Sequence, residues 1–247
     1  MSNSSLVTYT NITKNKTSPR NHAIDTITIH CIVGQWTAKQ GCDYFATTKN
    51  ECSANYIVGK DGSIGLSVDE KDRSWCSSNR ENDHRAITIE VASDTTHPYK
   101  VTDKAYAALI DLCVDICKRN NIKKLVWSES KSDRVNHRNG CNMTVHRDFA
   151  NKACPGEYLY ERHGEIAKEV NKRLGVDTVN NSTPYQVRVV ANALNVRAGA
   201  GVKYKVTTVI RDKGVYTIVE EKDGWGKLKS GAGWISLAYT KRIYNIK

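Results

Sequence analysis

The stretch DTITIHCIVG, residues 25–34, decides the fold. Its β-branched and aliphatic side chains fall on both faces of an extended chain, which is typical of a strand buried in the centre of a sheet. A buried imidazole needs partners for its ring nitrogens, so His30 is either a hydrogen-bonded core residue or a metal ligand. Side chains alternate along a strand, so His30 and Cys31 point to opposite faces. Only one of the two can therefore belong to a given site.

The segments that follow this strand extend a mixed pattern of strands and helices. ANYIVGKDGSIGLSV, residues 54–68, predicts a hairpin that turns near Asp61 and Gly62. AITIEVA, residues 86–92, predicts a second buried strand, and KKLVWS, residues 123–128, predicts another. We therefore expect an α/β domain with a central mixed β-sheet flanked by helices.

Two helices are predicted in this region. Residues 103–121 place Cys113 and Cys117 on an apolar stripe with no histidine, so core packing explains these thiols better than metal binding. Residues 156–175 form the second helix, in which a proline suits the first helical position and a glycine suits the end. Cys154 would then occupy the N-cap, where the helix dipole favours a thiolate.

The composition predicts a globular protein with two domains. The chain has 247 residues, of which 39% are hydrophobic. The polar stretch 176–184 predicts a linker between a first domain, residues 1–175, and a second domain, residues 185–247. The first twenty residues contain no apolar run, so we expect a protein made in the cytoplasm, without a signal peptide and without membrane insertion.

Charge and cysteine are both distributed unevenly. Residues 184–247 contain 12 Lys and Arg against 4 Asp and Glu, a surplus of about 8 positive charges out of a net charge of +11. Such a surface suits a polyanion such as nucleic acid, anionic membrane or anionic cell wall, and a solvated basic surface is equally consistent. All 8 cysteines lie in the first 154 residues, and in a reducing cytosol we expect them to stay free unless a metal binds them.

The segment TVHRDFANKACPG, residues 144–156, carries the candidate chemistry. His146 and Cys154 together with His30 would supply three ligands of the types that zinc prefers. In this order and spacing, ITIHC, SANYIVGKDGSI, AITIEVA and TVHRDFANKACPG resemble the zinc-dependent N-acetylmuramoyl-L-alanine amidases. That family includes amidase-type phage lysozymes and animal peptidoglycan recognition proteins. The resemblance spans about residues 20–175.

The resemblance implies a role for each matching residue. His30, His146 and Cys154 would bind Zn²⁺, and three protein ligands leave a fourth position open for water, as catalytic zinc sites do. Glu90, a carboxylate on an otherwise apolar strand, would be the catalytic base rather than one half of a structural ion pair. Lys152 would stabilise charge on the tetrahedral intermediate rather than lie idle in an exposed loop.

The sequence also departs from the family pattern. Asn55 stands in SANY where the family commonly has histidine, and Trp75 is followed by Cys76 where the family has a Trp-His pair. We expect Asn55, Trp75 and His137 to contact substrate. A rival closed zinc site is composed of four residues of the same region: His137, Cys141, His146 and Cys154. It leaves His30 and Glu90 unexplained.

The last quarter of the chain predicts a small all-β barrel. LNVRAGAG, DGWGKL and GWISLAY resemble the bacterial SH3 domain, a cell-wall-binding module of lysins and autolysins. Trp225 and Trp234 fit core packing and ligand stacking equally well. The resemblance implies a tail that holds the enzyme on peptidoglycan and its anionic polymers, and we expect no nucleic acid partner.

Together these patterns predict a peptidoglycan hydrolase, a phage or prophage endolysin that cleaves between N-acetylmuramic acid and L-alanine and acts on the wall after release. One alternative is a peptidoglycan-binding protein without activity, but such proteins commonly lack the cysteine ligand. Another is a wall endopeptidase with Cys154 as nucleophile and His146 as base.

Overall fold

The computed structural model of the chain describes residues 2–176, 184–222 and 224–243. They form two compact units, of which the first ends at Val176. Most of the predicted linker, residues 177–183, lies outside the described residues. Within the described ranges, no helix combines the length and the apolar character that crossing a membrane requires.

The first unit is a mixed α/β domain. Its strands are β1 (Tyr9–Thr10), β2 (Lys16–Thr17), β3 (Thr26–Val33), β4 (Tyr56–Val58), β5 (Ile64–Leu66), β6 (Arg73–Ser74), β7 (Ala86–Ser93) and β8 (Met143–Thr144). Its helices are α1 (Ala38–Thr47), α2 (Arg80–Arg85), α3 (Asp103–Arg119), α4 (Lys131–Val135), α5 (Glu157–Tyr160) and α6 (His163–Arg173). A 3₁₀ turn spans His146–Asp148.

Six of these strands form one mixed sheet in the order β1-β5-β4-β7-β3-β8. Strand β3 runs parallel to β7 and to β8, whereas β4 and β5 form the predicted antiparallel hairpin. The two predicted buried strands are confirmed as adjacent interior strands of this sheet, and their register sets His30 beside Glu90. The sheet therefore brings two candidate site residues together that lie far apart in sequence.

Helices cover both faces of this sheet. Ile27 and Ile29 of β3 belong to the large core that also contains the buried side chains of α3 and α6. Ile32 points to the opposite face and packs with Cys42 and Phe45 of α1. Helix α1 approaches the sheet closely because β5 carries Gly65, where a Cβ atom would lie 2.4 Å from the Cys42 sulfur. The three layers match the predicted α/β architecture.

Two predictions for the end of this unit are wrong. Residues 123–128 do not form a strand, because side-chain amides replace a neighbouring strand: Leu125 N–H donates to Asn171 Oδ1 and Val126 N–H donates to Asn142 Oδ1, both at 2.8 Å. The predicted helix 156–175 is divided into α5 and α6, and the N-cap of α5 is Gly156. Cys154 therefore lies ahead of the helix and outside its N-cap.

The second unit is all-β. Its strands are β9 (Tyr185–Val189), β10 (Leu194–Arg197), β11 (Val206–Ile210), β12 (Val215–Lys222), β13 (Trp225–Leu228), β14 (Trp234–Ser236) and β15 (Thr240–Ile243). They form an antiparallel sheet in the order β11-β10-β14-β13-β12-β9-β15. The core is aliphatic, and the half-buried Trp225 and Trp234 lie outside it.

Candidate active site

His30 and Glu90 form the floor of the candidate site. They are register partners on β3 and β7, and both alternate with residues such as Ile29 that face the α3 core. They therefore point to the opposite face of the sheet. The His30 side chain is fully buried, the Glu90 side chain is 15% exposed, and Glu90 Oε1 lies 4.0 Å from His30 Nδ1.

Cys154 reaches His30 at an open stretch of the β3 edge. Strand β8 pairs with β3 only at Ile27 and Thr28, so the edge of β3 is free of β8 at the level of His30. The Cys154 sulfur lies 3.3 Å from His30 Nδ1. Main-chain contact fixes this segment, because Arg147 N–H donates to the Cys154 carbonyl oxygen at 3.2 Å. The Cys154 thiol is therefore held in contact with the buried His30 imidazole.

His146 completes the cluster from the turn that follows β8. Its ring centroid lies 5.1 Å from that of His30, in an edge-on arrangement. Asp148 holds this turn: its carboxylate accepts from Val145 N–H at 3.2 Å and from two nitrogens of the buried Arg134 at 2.9 and 2.6 Å. The backbone on both sides of His146 is therefore anchored to α4.

The donor atoms are close enough to share one ion. One nitrogen each of His30 and His146 and the sulfur of Cys154 lie within 4.8 Å of one another. Two imidazoles and a thiol are the donors that zinc prefers in proteins. In addition, the His30 Nδ1 that faces Cys154 has a thiol and a carboxylate as its polar neighbours. This donor set fits a zinc ion.

A second group overlaps the first. His30, Cys76 and Glu90 also present donor atoms within 4.8 Å of one another. The Cys76 thiol donates a long hydrogen bond of 3.9 Å to Glu90 Oε1, and Glu90 Oε2 has no hydrogen-bond partner within the described part of the chain. The two groups share His30, so they cannot both use the same imidazole nitrogen at once.

Burial shifts the pKa values of the site residues in the direction that favours their neutral forms. Burial, and next the charge of His146, lowers the pKa of His30 well below its usual value. Burial raises the pKa of Glu90 to about 8, and the neighbouring Cys31 thiol adds to that effect. Burial likewise raises the pKa of Cys154 well above that of a free thiol. Burial therefore favours the uncharged forms of His30, Glu90 and Cys154.

Lys152 lies at the rim of the site. Its side chain is exposed, and its charge adds to the effect of burial in lowering the pKa of His146. Together with Lys131, Arg147 and Phe149 it lines a cavity of about 380 Å³. Lys152 therefore places a cation within electrostatic range of His146.

The residues expected to contact substrate occupy different environments. Asn55 is fully buried: its side-chain oxygen accepts from Thr88 N–H of β7 at 3.1 Å, and its side-chain nitrogen donates to the Val68 carbonyl at 3.2 Å. Trp75 is half-buried and donates to Thr17. His137 lines an open cavity of about 520 Å³, where it remains a candidate contact.

The rival closed zinc site does not assemble. The Cys141 thiol donates to the Val126 carbonyl at 3.2 Å, and His137 Nδ1 lies 3.0 Å from the Cys141 carbonyl oxygen. Among the residues that the structure describes, neither metal-ligand group includes His137 or Cys141. Both residues are used to shape the loop between α4 and β8.

Sequence reasoning missed three contributors to the site. Arg134 and Asp148 brace the turn of His146, and Ser78 Oγ lies 2.9 Å from His146 Nε2. Asp148, which stands two residues after the histidine in HRDF, offered a partial signal, because a carboxylate beside an apolar residue suggests a buried partner. No local pattern marks Ser78, which comes into contact only through the fold.

Comparison with known proteins identifies the class. The sequence pattern of the N-acetylmuramoyl-L-alanine amidases matches residues 20–157, which is more than half of the chain. The chain therefore belongs to the N-acetylmuramoyl-L-alanine amidase family, whose members are amide hydrolases. The comparison with curated proteins finds no match.

Solved structures agree on the fold. The structure of PlyL is 18% identical, covers 66% of this chain and 95% of its own, and superposes with a TM-score of 0.51. A selenomethionine derivative of AmpD is also 18% identical, covers 66% of this chain and 96% of its own, with a TM-score of 0.50. At this level of identity the likeness establishes a shared fold.

Proposed function

We propose that the chain is a zinc-dependent peptidoglycan amidase that cleaves the bond between the lactyl group of N-acetylmuramic acid and L-alanine. Membership of the amidase family supports the reaction. The observation that carries the zinc assignment is the convergence of donor atoms from His30, His146 and Cys154 within 4.8 Å, beside the buried carboxyl of Glu90.

His30, His146 and Cys154 would hold the zinc ion, which when bound supplies Lewis acidity and lowers the pKa of a coordinated water to roughly 7. Glu90 lies at 4.0 Å from His30 Nδ1 and would accept the proton of the attacking water, then return it to the leaving amine. Lys152 would balance negative charge that develops on the carbonyl oxygen.

The second unit would be an SH3-like module that binds the cell wall. Its antiparallel sheet is compatible with that architecture, and its aliphatic core leaves the two indole rings of Trp225 and Trp234 half-exposed and outside the packed cluster. Indole rings on a basic surface suit sugar or peptide contacts and anionic wall polymers. A lytic role of the endolysin type follows from this combination, with synthesis in the cytoplasm and action on the wall after release as a further expectation.

Chelation of the full chain tests the zinc assignment. We expect a chelator to abolish lysis of purified walls, and stoichiometric zinc to restore it. His146→Ala should bind less zinc in elemental analysis, whereas His97→Ala, at an exposed histidine, should match the unchanged protein. Activity that survives chelation would reject the zinc mechanism.

Mass spectrometry of the released fragments tests the bond that is cut. We expect stem peptides with a free L-alanine amino terminus and glycan strands with a free lactyl carboxyl group. Fragments cut within the stem peptide would instead indicate an endopeptidase, and cut glycan strands would indicate a glycosidase.

A further inference from the structure

Ser78 contacts the outer edge of His146. Its hydroxyl oxygen lies 2.9 Å from His146 Nε2, a normal hydrogen-bond distance. Ser78 is itself exposed, so burial does not force this contact. The backbone must therefore hold the hydroxyl in place.

The backbone at Ser78 adopts a left-handed conformation. Its φ of 61° lies in a region that residues other than glycine rarely occupy. Such a conformation persists only where the surrounding structure fixes it, and it is frequent at functional sites.

A buried carboxylate fixes the residues just before Ser78. Asp83 of α2 accepts from Cys76 N–H at 3.0 Å, from Ser77 N–H at 3.1 Å and from the Ser77 hydroxyl at 2.6 Å. On the other side, Asn79 caps α2 by accepting from Asn82 N–H at 2.8 Å. Ser78 is thus held between two residues that are both tied to the same helix.

A polar network connects this loop to β3, which carries His30, and to β8, which precedes His146. Asn82 donates to Thr28 Oγ1 at 3.1 Å and to Ser77 Oγ at 3.1 Å, and it accepts from Thr144 Oγ1 at 2.9 Å. The Thr28 and Thr144 hydroxyls are themselves 2.7 Å apart. All four side chains are buried. Thr28 stands two residues before His30, and Thr144 stands two residues before His146. One network therefore fixes the Ser78 loop relative to the backbone segments that carry both histidines.

We propose that Ser78 is a positioning residue that holds His146 with its proton on Nε2, so that Nδ1 would be the nitrogen that ligates the metal. A ligating imidazole ordinarily donates its other N–H to an acceptor, which fixes the tautomer and the ring orientation. The Ser78 hydroxyl is that acceptor. The inference rests on the proposed function, because it assumes that His146 ligates zinc.

Zinc affinity of the full chain, measured by competition with a chromophoric chelator, tests this role. Ser78→Ala removes the hydroxyl and keeps the left-handed residue, whereas Ser78→Gly removes both the hydroxyl and the strain. We expect both variants to bind zinc about 10-fold more weakly, since loss of such a partner typically costs 10- to 100-fold. Asn121→Gly is the matched control, because Asn121 is exposed, has a φ of 57° and lies outside the site. It should leave the affinity unchanged.

A second readout follows the proton directly. A long-range ¹H–¹⁵N spectrum of the zinc-loaded chain should show His146 protonated at Nε2, and protonation at Nδ1 would overturn the inference. Affinities of Ser78→Ala and Ser78→Gly within twofold of the unchanged protein, or tighter, would also overturn it. If His146→Ala binds zinc as well as the unchanged protein does, the proposed function fails instead, and the two failures are thereby separated.

Discussion

Glu90 is a carboxyl group kept almost without hydrogen-bond partners in a buried position. A structural glutamate at such a place would be paired with a cation, because an unpaired buried charge is costly. Here the Cys76 thiol is its hydrogen-bond donor, and burial raises its pKa to about 8. This environment suits a group that exchanges protons with water and substrate.

We expect Glu90→Gln to keep the fold and the bound zinc while turnover falls by about 10²- to 10⁴-fold, the usual contribution of a general base. Turnover is measured on a soluble muropeptide, and zinc content by elemental analysis. Glu51→Gln, at an exposed glutamate, is the control. Unchanged hydrolysis in Glu90→Gln would remove Glu90 from the base role.

His163 gives the first unit an acid-sensitive stability. The ring is fully buried, its Nδ1 lies 2.7 Å from the Leu159 carbonyl, and it stacks on Trp127 with centroids 4.5 Å apart. Burial lowers its pKa to about 4, below the value of about 6.5 expected in the unfolded chain. Because the unfolded state then binds the extra proton, the stability that His163 contributes is complete above pH 6.5 and is lost as the pH falls toward 4.

We therefore expect the free energy of unfolding to drop between pH 7 and pH 4.5, with His163 responsible for a share on the order of 2 kcal/mol. In His163→Phe, which can keep the stacking on Trp127, that share should be missing, so the drop should be smaller. Urea unfolding of both proteins at the two pH values measures the difference. Equal drops would show that other groups cause the acid sensitivity.

Residue chemistry made part of the site predictable from sequence. His30, Glu90 and Cys154 are conspicuous because each is a reactive or polar group in an apolar or loop context that gives it no local partner. Ser78 and Asn55 are ordinary polar residues whose roles depend on contacts across the fold. Asn55 stands where the family commonly has histidine. Its side-chain amide hydrogen-bonds to the main chain at Thr88 and at Val68, and only the structure shows these contacts.

Among the elements, the turn of His146 depends on α4. Arg134 and Asp148 form a bidentate pair in which both side chains are at most 2% exposed. Arg134 also stacks its guanidinium 4.4 Å from the centroid of Trp127. A buried pair of this kind contributes little net stability over apolar residues, but loss of one partner leaves the other charge uncompensated.

Asp148→Asn should therefore destabilise the first unit by about 3–5 kcal/mol. The double variant Arg134→Met with Asp148→Leu should recover much of that loss, yet it should still bind zinc more weakly, because Val145 N–H loses its acceptor and the turn of His146 loosens. Chemical denaturation and zinc competition measure the two effects separately. Full zinc affinity in the double variant would show that the pair does not position His146.

The periodicity of apolar residues correctly predicted those helices and strands whose conformation is determined by the pattern of their own side chains. Strands β3 and β7, the hairpin of β4 and β5, and helix α3 all follow it. The two errors arise where a side chain takes over a main-chain bond. Asn142 and Asn171 satisfy the stretch 123–128 without a partner strand. Similarly, the helix divides near His163, where Arg162 N–H donates to the Leu159 carbonyl at 3.0 Å and the His163 ring contacts the same oxygen, which a continuous helix would offer to the His163 N–H.

For the whole molecule, the two units have separate cores. The two clusters of the first unit contain only residues up to Leu174, and the cluster of the second unit contains only residues from Tyr185 onward. Each core is thus complete within its own stretch of chain, which favours independent folding. The surplus of about 8 positive charges belongs to residues 184–247, whereas the candidate site belongs entirely to the first unit.

Deletion of residues 184–247 should consequently separate wall binding from catalysis. We expect the shortened chain to hydrolyse a soluble muropeptide at nearly the full rate, because the site and its core remain intact. Its binding to purified walls should be much weaker, since the proposed attachment by the second unit would raise the effective concentration of the enzyme at its substrate. The lost binding should be the salt-sensitive part, because exposed charges are screened at high ionic strength. Sedimentation with walls at low and high salt, together with muropeptide kinetics, measures both effects, and equal losses in binding and in hydrolysis would count against a targeting role.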